Sequence, residues 1–457
     1  MSVVNGNYKK FKLVPPDGGW AYVICFACIL ILAPTGGFRP SFSLMYHDLM
    51  EEIGMASTKI GFVAGCNVMA LSLSGYLTSP LIKVMSVRQL AFLATALYNI
   101  GALLSAFTYS FTAFTICQSL LQNVGFGILY NLVFTCMKDY FSTKRLRAVS
   151  LIQTINAIAS VCVPYVIKKA TENYGTRGML VFICGISMHA FIGVSFLQPV
   201  EWHAKKEEIV EEHSKEMKNE SPKTEKHEDK TYTTGKGKES GKMQEGNQQS
   251  AFRIFWKSLI DVKVLKEFGL SRTCLGLSTV FVADFLYSLM LTKAFYAKGM
   301  SRENVTSFMT SIASGDLATR IAFTFFSERI KKLGSKQLFA VGSLLSFIAR
   351  SGALLSNDKT YILVFLTITG IARSFGTTLI PVVIADAVVP EDYTAGLGIT
   401  LLIIGALNLS VGPITGAIRD YTDSYELVLG FVCLLFLAVT VLFAVDIRSN
   451  KNRSKKE

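Results

Sequence analysis

The motif GDLATR places Asp316 and Arg320 four residues apart inside an apolar stretch near residues 304–327. On a helix, residues at i and i+4 share one face. Ionisable side chains at membrane depth face protein or a water-filled cavity, and they mark ion and substrate pathways by default. The Asp316 carboxylate can take up and return a proton, and its neutralisation would free the planar Arg320 guanidinium to hold a carboxylate bidentately. The alternative is an internal ion pair that only locks helices. Two further arginines stand out: Arg373 at similar depth, in Gly370-Ile371-Ala372-Arg373-Ser374-Phe375-Gly376, and Arg39 in the outer part of the first apolar stretch, in Phe38-Arg39-Pro40. Arg373 would bind a second anionic group, pair with Asp316, or be tied up in a salt bridge to Asp284. Arg350 lies nearer the outer side of its stretch, where a snorkelling or bridging role is expected. Asp386, ahead of Pro390-Glu391-Asp392-Tyr393, would pair with Arg145 or Arg147 as an inner gate, or simply be solvated at a helix end.

Such side chains need bilayer-crossing helices to position them. Hydrophobic residues make up 51% of the chain, charged residues 17%, and mean hydropathy is +0.40, with the charges clustered rather than scattered. The apolar residues fall into stretches of about 20, the length that spans a bilayer. Twelve are legible, near 19–39, 59–82, 89–108, 112–136, 146–167, 178–198, 269–297, 304–327, 336–356, 360–387, 394–417 and 425–446. The expected architecture is an all-α polytopic membrane protein with twelve transmembrane helices in two six-helix bundles. An N-terminal tail (1–18) precedes the first bundle (19–198), and a polar stretch (199–251) follows it. That stretch is almost devoid of apolar residues and cannot offset its own ordering entropy, so a disordered linker is expected. Residues 252–268 alternate large apolar and basic residues, as an interfacial helix would. The second bundle (269–446) and a basic tail (447–457) complete the chain.

Basic residues give the orientation. Lys9, Lys10 and Lys12, then Lys83 and Arg88, then Lys138, Lys144, Arg145 and Arg147, then Arg329, Lys331, Lys332 and Lys336, and finally Arg448, Lys451, Arg453, Lys455 and Lys456 all fall on one side if every stretch crosses. By the positive-inside rule both termini and the linker are then cytoplasmic. Topology therefore explains the net charge of +13, and nucleic-acid binding is not needed. The first apolar run is too long for a cleavable signal peptide and lacks a small-residue cleavage site. The nine cysteines lie in apolar stretches without zinc-site or disulfide spacing, and they read as small packing residues. Asn304-Val305-Thr306 is a glycosylation sequon close to the membrane, a weak signal. No HExxH, GxSxG or nucleotide-binding loop occurs at a membrane boundary, so an enzyme is not expected and no cofactor is implied.

Several motifs together carry a resemblance. Pro15 to Tyr22 reads PPDGGWAY; Tyr140-Phe141 is followed by Lys144-Arg145 and Ala148; Tyr174-Gly175-Thr176-Arg177-Gly178 precedes span six; and Gly412-Pro413-Ile414-Thr415-Gly416 with Asp420 and Tyr425 ends span eleven. In this order, and in two halves joined by a long loop, they resemble the monocarboxylate transporter family of the major facilitator superfamily. The resemblance implies the superfamily fold, a role for Asp17 in the first-span signature, and a proton-binding and anion-binding role for Asp316 and Arg320. It also implies a single-span accessory glycoprotein as a partner. Departures accompany it. The second signature lacks the family's glycine-containing repeat, and the loop between spans two and three, KVMSVRQ, keeps a degraded acidic-glycine-basic pattern. Where lactate carriers have a lysine two residues after a phenylalanine, this chain has proline, with Arg39 beside it. An arginine does not readily give up its proton, so Arg39 does not replace that lysine in kind. Near Arg373 the family commonly presents an aromatic residue.

The expected function is secondary transport of a small organic anion or monocarboxylate by alternating access, proton-coupled through Asp316. Arg320, Arg373 and Arg39 are the expected substrate-binding residues, with Asp17, Arg145, Arg147 and Asp386 as gating or structural residues. The expected location is the plasma membrane, within the lipid bilayer. A facilitative carrier of aromatic amino acids or other amphipathic solutes is the alternative within the class. A nontransporting receptor or scaffold is the alternative outside it, although a scaffold has no need of charges in so expensive an environment.

Overall fold

The computed structural model describes residues 11–55, 57–208, 264–331 and 333–453. The interfacial helix up to residue 263, most of the linker, and the basic residues Lys9, Lys10, Lys332, Lys455 and Lys456 lie outside the described residues. Nine segments of the described chain are long and apolar enough to cross a membrane. One of them, Arg145–Ser195, contains two crossings joined at Gly175, whose φ of 69° no helix accommodates. The Tyr140 hydroxyl donates to the Gln198 carbonyl at 3.0 Å, which brings the end of span six back to the side where span five begins. Span eight (Arg302–Lys331) and span nine (Ser335–Gly352) make the set twelve. Span eight fails a hydropathy test because it carries the ionisable pair, so its polarity is itself informative. Prolines sit inside spans one, two, five, ten and eleven, at Pro34, Pro80, Pro164, Pro381 and Pro413.

The signature around Asp17 builds a staple at the start of span five. Asp17 adopts φ 49°, a left-handed conformation that Asp tolerates better than most residues. Its carboxylate accepts the backbone N–H groups of Ser142 (2.8 Å), Thr143 (3.0 Å) and Lys144 (3.3 Å) and the Thr143 hydroxyl (3.1 Å). Those donors are the unpaired amides at a helix N-terminus, where a negative charge is favoured. Partial burial works against the charged carboxylate, but the donors outweigh it and hold the Asp17 pKa below its ordinary value. Trp20 stacks on His203, with ring centroids 5.0 Å apart and 9° between planes.

Composition assigns residues 199–208 to the disordered linker, and the structure corrects this. Val200–Trp202 forms a 3-10 turn, and Lys205–Glu208 pairs antiparallel with Phe11–Val14, in register from Phe11 opposite Glu208 to Val14 opposite Lys205. The pairing runs through backbone groups of a polar segment, which composition does not report.

Two close approaches set the geometry of the interior. Spans eight and ten touch at glycines: a Cβ on Gly315 would lie 2.2 Å from the Thr367 carbonyl oxygen, and one on Gly370 2.0 Å from that of Ile312. The halves meet along spans two (Ser57–Ile82) and eleven (Tyr393–Thr422). Gly398, Gly405 and Gly412 recur every seven residues, on one face of span eleven. Gly398 lies against the Gly75 backbone and Gly405 against Ser72, whereas a Cβ on Gly412, or on Gly65 one repeat further out on span two, would meet no described atom within 4 Å. The two helices touch on the side that carries the termini and splay apart beyond it.

Candidate substrate site

Span eight presents Asp316 and Arg320 toward spans five and ten. The Arg320 Nε donates to both Asp316 oxygens at 3.0 Å, its Nη2 to the Thr377 hydroxyl at 2.9 Å, and its Nη1 to Gln153 Oε1 at 3.2 Å. The Ser374 hydroxyl donates to Asp316 Oδ1 at 2.6 Å, so the carboxylate is held from both sides. Arg320 is 6% exposed. Its partners lie on both halves, because Gln153 belongs to span five and Thr377 to span ten. The two Nη groups of this buried guanidinium rest on neutral oxygens that an incoming carboxylate can replace.

Arg373 follows one of the expected alternatives and keeps part of another. Its Nε lies 3.1 Å from Asp284 Oδ2, while Asp316 remains within electrostatic reach. The other Asp284 oxygen is taken by Arg350 Nη2 at 2.5 Å. Arg350 does not snorkel: it is 1% exposed, with Tyr287 and Phe436 ring centroids 5.1 and 4.3 Å from its guanidinium carbon. Burial of a charge at this depth requires such a partner and such faces. Its Nε and Nη1 have no hydrogen-bond partner among the described residues.

In the first half, Pro40 turns the end of span one into a 3-10 turn, Arg39–Ser41, which carries Arg39 inward. Its Nη1 donates to Asn123 Oδ1 at 2.7 Å, and its guanidinium carbon sits 4.4 Å from the Phe126 ring centroid. Asn123 ends a π-helical segment, Ile116–Asn123, in the middle of span four, and its amide donates to the Gln118 carbonyl five residues back. Tyr130, next to Phe126 at 6.0 Å between rings, interacts electrostatically with both Arg39 and Arg320. Phe126 and Tyr130 thus form an aromatic pair beside Arg39.

On the termini side the halves are tied together. Arg145 Nη1 lies 3.7 Å from Asp386 Oδ1, Lys138 Nζ donates to the Pro390 carbonyl at 2.6 Å, and Asn131 Nδ2 donates to the Gly75 and Thr394 carbonyls at 2.7 and 3.3 Å. Arg147 is placed elsewhere, on a lateral crevice of about 370 Å³ with Tyr22, Lys144 and Phe325. The spacing of the ionisable residues gave no sign of Ser374, Thr377 or Thr394 as their partners. The hydroxyls at 374, 377 and 378, three and four residues apart behind Arg373, are the signal that was available.

Residues 21–332 match the family model described as Major Facilitator Superfamily. The chain belongs to the Major Facilitator Superfamily. Monocarboxylate transporter 12 of Homo sapiens is 21% identical over 439 residues, covering 94% of this chain and 81% of that protein. Monocarboxylate transporter 7 of Homo sapiens is 21% identical over 437 residues, covering 90% and 83%. The match to monocarboxylate transporter 13 of Rattus norvegicus, 23% identical, spans 41% of this chain and only 44% of that protein. Among solved structures, the E. coli fucose:proton symporter superposes with a TM-score of 0.62 at 13% identity, over 93% of this chain and 98% of that one. The human organic anion transporter MFSD10 gives 0.57 at 16%, over 93% and 96%. At such identities the structures show the superfamily fold alone. The superfamily and these neighbours are transporters, and the chain is not an enzyme.

Proposed function

We propose that this chain is a secondary transporter moving a small organic anion by alternating access, with Arg320 as the anion-binding group and Asp316 as the proton-coupling group. The observation that carries the reading is the Arg320 guanidinium, which joins Asp316 and Thr377 of one half to Gln153 of the other. Protonation of Asp316 removes its charge and frees the Nε edge, and the substrate carboxylate then replaces the neutral acceptors. Release of the proton on the other side restores the internal pair and expels the anion. In this reading the contacts from Asn131 to Thr394, Lys138 to Pro390 and Arg145 to Asp386 form the gate on the termini side, and the basic loops support a cytoplasmic position for it. Plasma-membrane residence and a single-span glycoprotein partner belong to the same reading, supported by the resemblance to monocarboxylate transporters.

The test is uptake into proteoliposomes of labelled monocarboxylates and amphipathic acids, with and without an imposed pH gradient. Asp316→Asn keeps the shape and removes the titratable group, so gradient-driven accumulation is lost while exchange or binding persists. Arg320→Lys also fails, because a point charge does not reproduce the planar fork. Unchanged pH-dependent uptake by a folded Asp316→Asn protein removes Asp316 from the coupling. A second reading, an amphipathic aromatic solute, draws on the Phe126 and Tyr130 rings beside Arg39; saturable uptake of aromatic amino acids without a pH gradient would favour it.

A further inference from the structure

Among the described residues around the site, four guanidinium groups, from Arg39, Arg320, Arg350 and Arg373, face two carboxylates, from Asp284 and Asp316. Uncompensated charge is expensive where the dielectric is low, so the surplus of two positive charges asks for a counter-charge. The four arginines are not equivalent. Arg350 is inaccessible, sealed between Tyr287 and Phe436 with Asp284 as its acid. Arg320 already has Asp316 on its Nε, with Nη1 and Nη2 resting on neutral oxygens.

Arg373 is the distinctive one. Its Nε pairs with a carboxylate it must share with Arg350, and its side chain is 38% exposed. Five donors on a guanidinium cannot be satisfied by one shared oxygen. It is also bound to the neighbourhood of Arg320 through one residue, because Thr377 accepts from Arg320 Nη2 at 2.9 Å and donates to the Arg373 carbonyl at 3.1 Å. A monoanion on Arg320 would leave Arg373 half-neutralised.

Building on the transport reading above, we propose that Arg320 and Arg373 together recognise a small organic dianion, two carboxylate-type groups joined by a short carbon chain. Asp284 and Arg350 are its positioning residues. The buried Arg350 holds Asp284 in place, and Asp284 in turn holds the Arg373 side chain until a second anionic group takes over part of its donors. Neither positioning residue touches the substrate.

The experiment compares the four-carbon acids succinate and butyrate, both labelled, as substrates of the full chain in proteoliposomes at neutral pH. Succinate is expected to show an apparent affinity at least ten-fold tighter than butyrate. Arg373→Gln is expected to bring that ratio close to one by weakening succinate, and Arg373→Lys to retain part of it, since the charge stays and the fork goes. Saturable butyrate flux with no preference for succinate overturns the dianion while leaving anion transport standing, as does a preference that survives Arg373→Gln. Flux of neither these acids nor any other anion of the panel overturns both readings. Should Arg373→Gln fail to insert, the wild-type ratio decides alone.

Discussion

Asp284 is the residue whose loss should be felt most in stability, although no substrate needs to reach it. Its side chain is 10% exposed and shared by Arg350 and Arg373, so Asp284→Asn leaves the Arg350 charge buried without an acid. Breaking a buried pair from one side costs about 3–5 kcal/mol, whereas exchanging both members for apolar side chains is often neutral. Thermal unfolding of the purified protein is expected to show a large fall for Asp284→Asn and a much smaller one for Asp284→Leu combined with Arg350→Met. Equal falls would mean that Arg350 draws its compensation mainly from Tyr287 and Phe436.

The N-terminus of span five belongs to an element-scale device. Three consecutive amides, from Ser142 to Lys144, converge on one carboxylate that lies about 125 positions earlier in the chain. Replacing that charge by Asp17→Asn is expected to cost about 1 kcal/mol, the usual scale of a capping interaction. The sign with pH follows from the lowered folded-state pKa of Asp17. A depressed carboxylate favours folding at pH values above its unfolded value of 3.8, and the contribution is lost as pH falls through the folded value. The difference in unfolding temperature between wild type and Asp17→Asn should therefore be constant near neutrality and vanish in acid. A difference that persists below pH 3 would assign it to shape rather than charge. The aspartate within PPDGGWAY was visible from the sequence, but its partner was not, because a cap between distant segments leaves no periodicity.

Spans two and eleven close together on the termini side and part beyond it. Closure depends on backbones meeting where side chains are missing: a Cβ on Gly398 would lie 2.7 Å from the Gly75 carbonyl oxygen and 2.8 Å from the Tyr76 Cα. Gly398→Leu is expected to prevent this contact and lower transport at least ten-fold, while the protein remains monodisperse. Reactivity of a cysteine introduced at Thr394, on the sealed side, would rise in the same variant. Unaltered transport by Gly398→Leu would show that the halves need not meet here during the cycle. Polar ties add little by comparison, since the Arg145–Asp386 pair is partly exposed at 3.7 Å and worth about 0–1 kcal/mol.

Hydrophobic length made most of the twelve crossings legible, because a bilayer demands about 20 apolar residues per helix whatever the partners, whereas spans eight and nine are too polar to stand out by hydropathy alone. The pairing of Asp316 with Arg320 was equally legible, since four residues on one helix fix which side chains meet. The partners of Arg373 were not. Whether it bound Asp284 or faced Asp316 depended on how spans seven, nine and ten pack, and the sequence carried both acids at plausible depth. Gln153, 167 positions from Arg320 on the other half, came within 3.2 Å only through the meeting of the bundles. The ordered pairing of Lys205–Glu208 with Phe11–Val14 was hidden for a similar reason. Local spacing along a helix is written in the chain, whereas contacts between helices depend on crossing angles and glycine-permitted approaches that only the folded molecule decides.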